Sequence, residues 1–570
     1  MICSERTTWV FWTFCLAAGI FCTPGRAAAA AGEKRMTQPQ IAFQQSAAKV
    51  QAYDFVEVRL KVSSPSAANP FTDVEVSGSF RRKGGKPIAV DGFCDSADGR
   101  VFGIRFMPAK PGAYSYSVTY RQKGFQRTHK GTFRADDGKR RGLLRVDAKH
   151  PWHFLWEGTG EHYFWNGTTT YWLMGWDDEN IRRNIERLGR LKVNRLRVAI
   201  NGRVKNGRAW YENVYPTDKF TFLLNPWVAK RPGSVGDPGF DVTRFNVPHW
   251  RKYDRLLRHA RDRDVIVSVI FYVDIRRPGV DPFGKRRAGR ADEQRYYRYA
   301  VARFAAFSNV TWDLCNEYRF GRTDNWANKM GALLKQWDPY DHLASTHGFG
   351  DFRFRKSGWA DFAMYQRWDE HGGHAFMLKN RALQAATGRI IPQINEEYGY
   401  EDHYPKGWGG SRVAPARSAD TRRRLAWEMV MAGCYQTTGE RADTGTGWGP
   451  DSGGGWLNGR GDKSMVMLNG YARIVDFFTA LEWWKAEPHD ELVTGGAMCL
   501  AEPGRQYVVY LRAGGSVTVK LARGTYRASW FNPRSGRRKP IGRAKGPKWT
   551  SPAAPDKKDW VVLLLREAGR

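Results

Sequence analysis

Cysteine is scarce in this chain. It has seven in 570 residues, three of them before residue 23. The other four, Cys94, Cys315, Cys434 and Cys499, share no CxxC-type spacing, so neither a cysteine metal site nor a disulfide framework organises the fold. Long apolar runs are absent too: none approaches the roughly 20 residues of a membrane helix, and no membrane span is expected. No Gly-rich phosphate loop follows the first strand of the central region, which argues against an open nucleotide-binding sheet, the rival arrangement there. His371 and His374 lack partners at ligand spacing, so no catalytic metal and no cofactor are expected. Acid is in deficit, with 57 Asp+Glu against 91 Lys+Arg and a net charge of +34.

Such a field attracts polyanions. There is no helix-turn-helix, zinc-finger or RNA-binding signature, so nucleic acid is not the expected partner. The N-terminus offers another context. One arginine precedes the apolar run from Trp9 to Cys22, and the small residues Ala27 to Ala31 follow as a cleavage site, the pattern of an export signal. A secreted or periplasmic protein is expected, and a sulfated or uronate-bearing polysaccharide is then the natural anionic partner. Solvated charge spread over the surface is the plainer alternative. Aromatics make up 14% of the chain, including 24 Trp, which suits both folded cores and stacking on sugar rings.

The rhythm of the sequence divides it. Residues 1–31 read as the signal and 32–48, polar and aperiodic, as a linker. From 49 to 147 short alternating runs such as Phe55–Leu60, Val101–Phe106 and Tyr114–Val118 are separated by Gly/Pro turns, predicting an Ig-like β-sandwich. Over 148–488 apolar strands alternate with amphipathic helical stretches, including Glu179–Leu191, Trp250–Arg261, Glu293–Phe307 and Thr421–Met431. Strands are predicted at Thr168–Met174, Asn194–Ile200, Val265–Val273, Val310–Asn316, His342–Thr346, Phe362–Gln366, Ile390–Asn395 and Gly433–Thr438. Eight such units predict a (β/α)8 TIM barrel. Alternation returns over 489–570, predicting a second, smaller β-sandwich.

Barrels present their reacting groups at the C-terminal ends of strands. The fourth strand delivers Asn316 and Glu317 to that rim, and the seventh delivers the Glu396-Glu397 doublet. Hydrolysis of an acetal between sugars needs an acid for the leaving oxygen and a second carboxylate to attack carbon or activate water. Because adjacent strand residues face opposite sides, only one of Glu396 and Glu397 is expected to point inward.

Trp312-x-x-x-Asn316-Glu317 and the strand-seven glutamate resemble the clan-A glycoside hydrolases, which are retaining barrels. Trp165-Asn166-Gly167-Thr168-Thr169, Glu397-Tyr398-Gly399-Tyr400-Glu401 and Phe477–Trp484 resemble, more closely, the apiosidase-like branch of barrel hydrolases. Asn69-Pro70-Phe71 and Ile104–Pro108 are similar to the sandwich fused ahead of such barrels. Trp530–Gly536 is similar to the small collagen-binding-type sandwich that closes them. The resemblance implies Glu317 as general acid/base and Glu397, favoured over Glu396 by alignment of Glu-x-x-Tyr-Glu, as nucleophile. It implies that Asn316 bonds the sugar 2-hydroxyl and that Arg197 keeps the nucleophile ionised.

Further candidates follow from position alone. His347, Tyr365 and Gln366 close the fifth and sixth strands and are placed to bond substrate or nucleophile. Tyr171, Trp172 and Trp176, with Trp448 and Trp456 in a Gly-rich loop over Gly445–Gly455, are placed to stack on sugars. The reading is a secreted retaining hydrolase of polysaccharide. A non-catalytic carbohydrate-binding or adhesion protein on a degenerate barrel is the alternative.

Overall fold

Eight parallel strands form the centre of the protein: β1 (Asn166–Thr169), β2 (Arg195–Ala199), β3 (Ile266–Ile270), β4 (Val310–Asp313), β5 (Ala344–Ser345), β6 (Ala363–Gln366), β7 (Gln393–Glu397) and β8 (Tyr435–Thr438). The computed structural model describes residues 40–201, 204–205, 208–209, 225–234, 236–273, 275, 279–367, 372–398, 418–439 and 466–567. The predicted export signal, Trp448, Trp456, the Gly445–Gly455 loop and His371 lie outside these residues. The strand order is β5-β4-β3-β2-β1-β8-β7-β6. First and last strands are neighbours, so the sheet curls into a nearly closed barrel, as expected. The missing ladder lies between β5 and β6. There Asp361 donates its backbone N–H to the Ala344 carbonyl at 2.8 Å, its carboxylate accepts the Ala344 N–H at 2.8 Å, and Ser345 Oγ donates to the Phe362 carbonyl at 2.7 Å.

Each expected strand is present, although several are shorter than the apolar runs suggested. The helices α1 (Asp178–Arg190), α2 (Val247–Arg261), α3 (Ala291–Phe304), α4 (Asp324–Trp337), α5 (Gly373–Ala385), α6 (Ala419–Met431) and α7 (Val466–Thr479) cover the outside. Local chemistry starts several of them. Asp177, Thr323 and Ser418 accept the orphan N–H groups of Asn180, Trp326 and Thr421. Between β5 and β6 residues 346–362 run as loop and turns, so the fifth βα unit has no helix.

The N-terminal domain is two packed sheets. One orders Ile41–Gln45, Val56–Val62, Val101–Phe106 and Phe93–Cys94; the other orders Lys49–Gln51, Phe125–Asp136, Gly112–Gln122, Val74–Arg82 and Pro87–Asp91. The stretch expected as a linker over 32–48 is thus partly strand. Ile41, Phe43 and Gln45 turn inward, a period of two with only two apolar members, too weak to stand out in the sequence. At the other end, Leu144–Val146 pairs with Phe154–Trp156 and this with His162–Tyr163, so the expected boundary at 147/148 runs through a small antiparallel sheet.

Buried charge joins this sandwich to the barrel. Arg105 donates to both carboxylate oxygens of Asp254 on α2, at 3.0 and 2.8 Å, and Arg303 on α3 pairs with Asp254 and Asp95. The C-terminal sandwich sets a six-stranded sheet against a two-stranded one. It grips the opposite flank through Arg423–Asp559, Arg512–Glu428 and His374–Asp490, with Tyr510 stacked on Trp427. Cys94, Cys315, Cys434 and Cys499 are free and buried. Burial pushes the Cys94 and Cys434 thiols up to about 12, so they behave as small apolar side chains.

Candidate active site

The rim of the barrel is built from the residues that directly follow β1, β4 and β5 and from the ends of β6 and β7. Glu317, four residues past β4, holds a left-handed backbone with φ 49° and ψ 45°. That conformation costs a side-chain-bearing residue about 1–2 kcal/mol, and such strain collects where function requires it. Neighbours hold it there. The Asn316 N–H donates to the Tyr272 carbonyl at 2.9 Å, and the Tyr318 N–H donates to the His347 carbonyl at 3.2 Å. The Glu317 N–H points to His347 Nδ1 at 3.4 Å.

Gln366 ties the two sides of the site together. Its Nε2 donates to Glu317 Oε1 at 3.0 Å and to Glu397 Oε1 at 3.1 Å. Glu397 Oε2 also accepts from the Tyr171 hydroxyl at 3.3 Å. That hydroxyl's one proton is shared with Asn316 Oδ1, the nearer acceptor at 2.9 Å, and the hydroxyl oxygen accepts from Arg197 Nη1 at 2.8 Å. Arg197 Nη2 donates to Asn316 Oδ1 and to Asp313, both at 3.0 Å. The amide oxygen of Asn316 is thus engaged twice.

His347 is fully buried, and burial, with the Arg197 and Arg195 charges, pushes its imidazole well below the ordinary histidine value. The ring is neutral. Because Nδ1 accepts the Glu317 N–H, the ring proton sits on Nε2, which faces Glu397 Oε2 at 3.8 Å.

The doublet on β7 departs from expectation. Both glutamates point into the barrel. Glu396 pairs with Arg195, and Arg197 Nε approaches the same oxygen at 3.3 Å. Strict alternation would forbid this. A register shift against β6 allows it: Tyr365 pairs with Asn395 but Gln366 with Glu397, so Glu396 is the extra residue of a bulge. Glu396 therefore belongs to a fully buried ion cluster with Arg195, Arg197 and Asp313 below the rim, and Glu397 to the rim itself. Burial outweighs the Arg197 contact and raises Asp313 above the usual carboxylate range. Burial opposes the charge of Arg197, but Tyr171, Glu396, Asp313 and Glu397 together hold it above its ordinary value.

The structure brings Glu317, Glu397, Asn316, Arg197, His347 and Gln366 together. It does not bring Tyr365 there. Its hydroxyl donates to Gln393 Oε1 at 2.5 Å, accepts from Arg355 at 3.1 Å, and its ring packs on Phe376 of α5, because alternation along β6 turns it outward when Gln366 turns in. Trp172 is buried, edge-on to Tyr171. Sequence reasoning took Tyr171 for a stacking ring, whereas its hydroxyl is the hub of the bonds to Glu397. Its place two residues past β1 was the available signal. Asp313 and Arg195 gave no signal beyond charge inside an apolar strand, and Glu396 was noted only as the rival of Glu397 for the nucleophile's place.

Comparison with known proteins bears on the family and the fold. Residues 49–121 match a family described as a domain of unknown function (DUF5060), and 490–565 match one provisionally described as the collagen-binding domain of a collagenase. No curated protein sequence matches the chain. Among solved structures, a candidate glycoside hydrolase from Bacteroides vulgatus aligns with TM-score 0.74 at 19% identity, over 91% of this chain and 100% of that one. A glycoside hydrolase family 5 protein from the same organism aligns with TM-score 0.55 at 16% identity, over 75% of this chain and 93% of that one. At these identities the likeness is one of fold. Residues 152–440, just over half of the chain, match the family described as apiosidase-like, catalytic domain, and the protein belongs to that family of glycosidase barrels.

Proposed function

We propose that the protein is a retaining hydrolase of O-glycosidic bonds in an extracellular polysaccharide, with Glu317 as general acid/base and Glu397 as nucleophile. The observation that carries the reading is the shared amide of Gln366. Two carboxylate oxygens bound to one nitrogen at 3.0 and 3.1 Å are no more than about 6 Å apart. A retaining pair needs roughly 5–5.5 Å, whereas an inverting pair needs about 6.5–9.5 Å to admit a water.

In the first step Glu317 gives its proton to the leaving oxygen as Glu397 Oε attacks the anomeric carbon and the glycosidic C–O bond breaks. In the second, Glu317 takes a proton from water, whose oxygen displaces Glu397. Tyr171 and Gln366 hold the Glu397 carboxylate, and the Asn316 amide is placed for the sugar 2-hydroxyl. The net charge of +34 supports an anionic glycan, as do Arg319, Arg353 and Arg367, exposed on the loops after β4, β5 and β6. The apolar run from Trp9 to Cys22 followed by Ala27–Ala31 supports export.

The test is stereochemical. Neutral, uronate and sulfated polysaccharides are screened with purified protein, and the first-formed anomer is read by NMR. Retained configuration, lost with Glu317→Gln and with Glu397→Gln in folded protein, is expected. An inverted product or wild-type turnover in either variant overturns the assignment.

A further inference from the structure

Among the described residues few large apolar side chains are exposed, and two of them stand together at the mouth of this site. Phe320 is 38% and Phe349 36% exposed, and their rings meet edge to face with centroids 4.9 Å apart. The sequence does not single out either residue. Exposing a phenylalanine sacrifices burial, and exposing two in contact makes a local apolar patch that water does not favour.

Both rings are fixed to the acid side of the site by backbone bonds. Phe320 lies three residues after Glu317, in the short turn Tyr318–Phe320, and its N–H donates to the Glu317 carbonyl at 3.1 Å. Phe349 lies two residues after His347, and its carbonyl accepts the N–H of Gln366 at 3.4 Å. The pair is therefore carried by the two loops that position Glu317, with little freedom to drift from it.

We infer that Phe320 and Phe349 form a subsite for the sugar ring on the leaving-group side of the scissile bond. The inference rests on Glu317 being the acid that serves the leaving oxygen, since only then does its side of the rim face the departing sugar. A pyranose presents a face of C–H groups, which stacks on an aromatic face while its hydroxyls stay in water. An edge-to-face pair offers one ring as floor and the other as wall, so a sugar held there is oriented as well as bound.

The test reads binding without turnover. Full-length protein is run through native gels containing xylan, polygalacturonate or chondroitin sulfate, and its retardation gives an affinity. The wild type and Glu317→Gln are expected to be retarded by at least one of the three. Phe320→Ala with Phe349→Ala should weaken that affinity about tenfold, and Phe320→Tyr with Phe349→Tyr should retain it. Equal retardation of the double alanine variant and the wild type overturns the proposal, as does retardation of the wild type by none of the polymers. Phenylalanine-dependent binding by a protein with no turnover would leave a sugar-binding pair of rings but overturn its assignment to a leaving-group side, together with the hydrolase reading.

Discussion

Arg197 reaches the Tyr171 hydroxyl at 2.8 Å, and through it the charge of a buried guanidinium is relayed to Glu397. The sequence resemblance gives Arg197 the task of keeping the nucleophile ionised. The geometry assigns the contact to an intermediary, because Arg197 spends its own donors on Tyr171, Asn316 and Asp313.

Tyr171→Phe keeps the ring and deletes the hydroxyl with its bonds to Glu397, Asn316 and Arg197. Turnover should fall by about a hundredfold, the scale of losing one preorganised donor at a reacting centre, with KM little changed. Steady-state kinetics on the substrate found by screening, beside a thermal melt, checks this. A loss confined to KM would place Tyr171 in substrate binding instead.

The two strand-seven glutamates should separate cleanly. Glu397→Gln removes a rim carboxylate and should abolish turnover while leaving the denaturation midpoint close to wild type. Glu396→Gln leaves Arg195 and Arg197 short of a buried counter-charge, and breaking such a pair costs about 3–5 kcal/mol. Urea denaturation distinguishes them. Equal midpoints for the two variants would contradict the placement of Glu396 in the ion cluster.

How much of this was legible beforehand depended on periodicity. All eight barrel strands, and the rim positions of Asn316 and Glu317, follow from apolar runs alternating with helical stretches. What escaped was set by contacts distant in sequence. The bulge that turns both Glu396 and Glu397 inward exists only in the register between β6 and β7. Likewise Ile41–Gln45 is a strand because Val56–Val62 lies beside it. Tyr365 and Gln366 were equal candidates in the sequence, and only the phase of β6 divides them.

Acid should weaken the fold through His153. The ring lies 2.7 Å from the Tyr435 hydroxyl, and burial, reinforced by Arg381, pushes its imidazole down to about 3. The unfolded chain takes up this proton near pH 6.5, whereas the folded one resists it until about pH 3, so between those values the unfolded state binds more protons. Stability is therefore lost as pH falls below about 6.5, by up to roughly 1.4 kcal/mol per pH unit from this group. His153→Gln should flatten the dependence of unfolding free energy on pH between 6 and 5 by about that slope. His347, also held neutral by burial, contributes in the same direction and keeps the variant acid-sensitive. An unchanged slope would mean that His153 protonates in the fold.

Asp254 is the shared partner of Arg105 and Arg303 where the N-terminal sandwich meets α2 and α3. Asp254→Asn should cost about 3–5 kcal/mol, because it leaves two buried guanidinium groups facing each other. Calorimetry should show the main transition lowered. A variant that melts like wild type would mean that the interface holds without its charges.

The paired clasp of the two sandwiches also bears on how this protein can be divided. Excising the barrel alone would unmask Trp427 and Phe477, now covered by Tyr510 and Phe531, and would strip Asp254 of Arg105 and Arg303 of Asp95. Such a fragment would carry a sticky aromatic face on one flank and orphaned charge on the other, and would aggregate before it could be assayed. The smallest unit that can be expressed and evolved as an enzyme is therefore the three-domain chain. Its flanking sandwiches cannot be shuffled as cassettes unless the surfaces they cover on the barrel are redesigned with them.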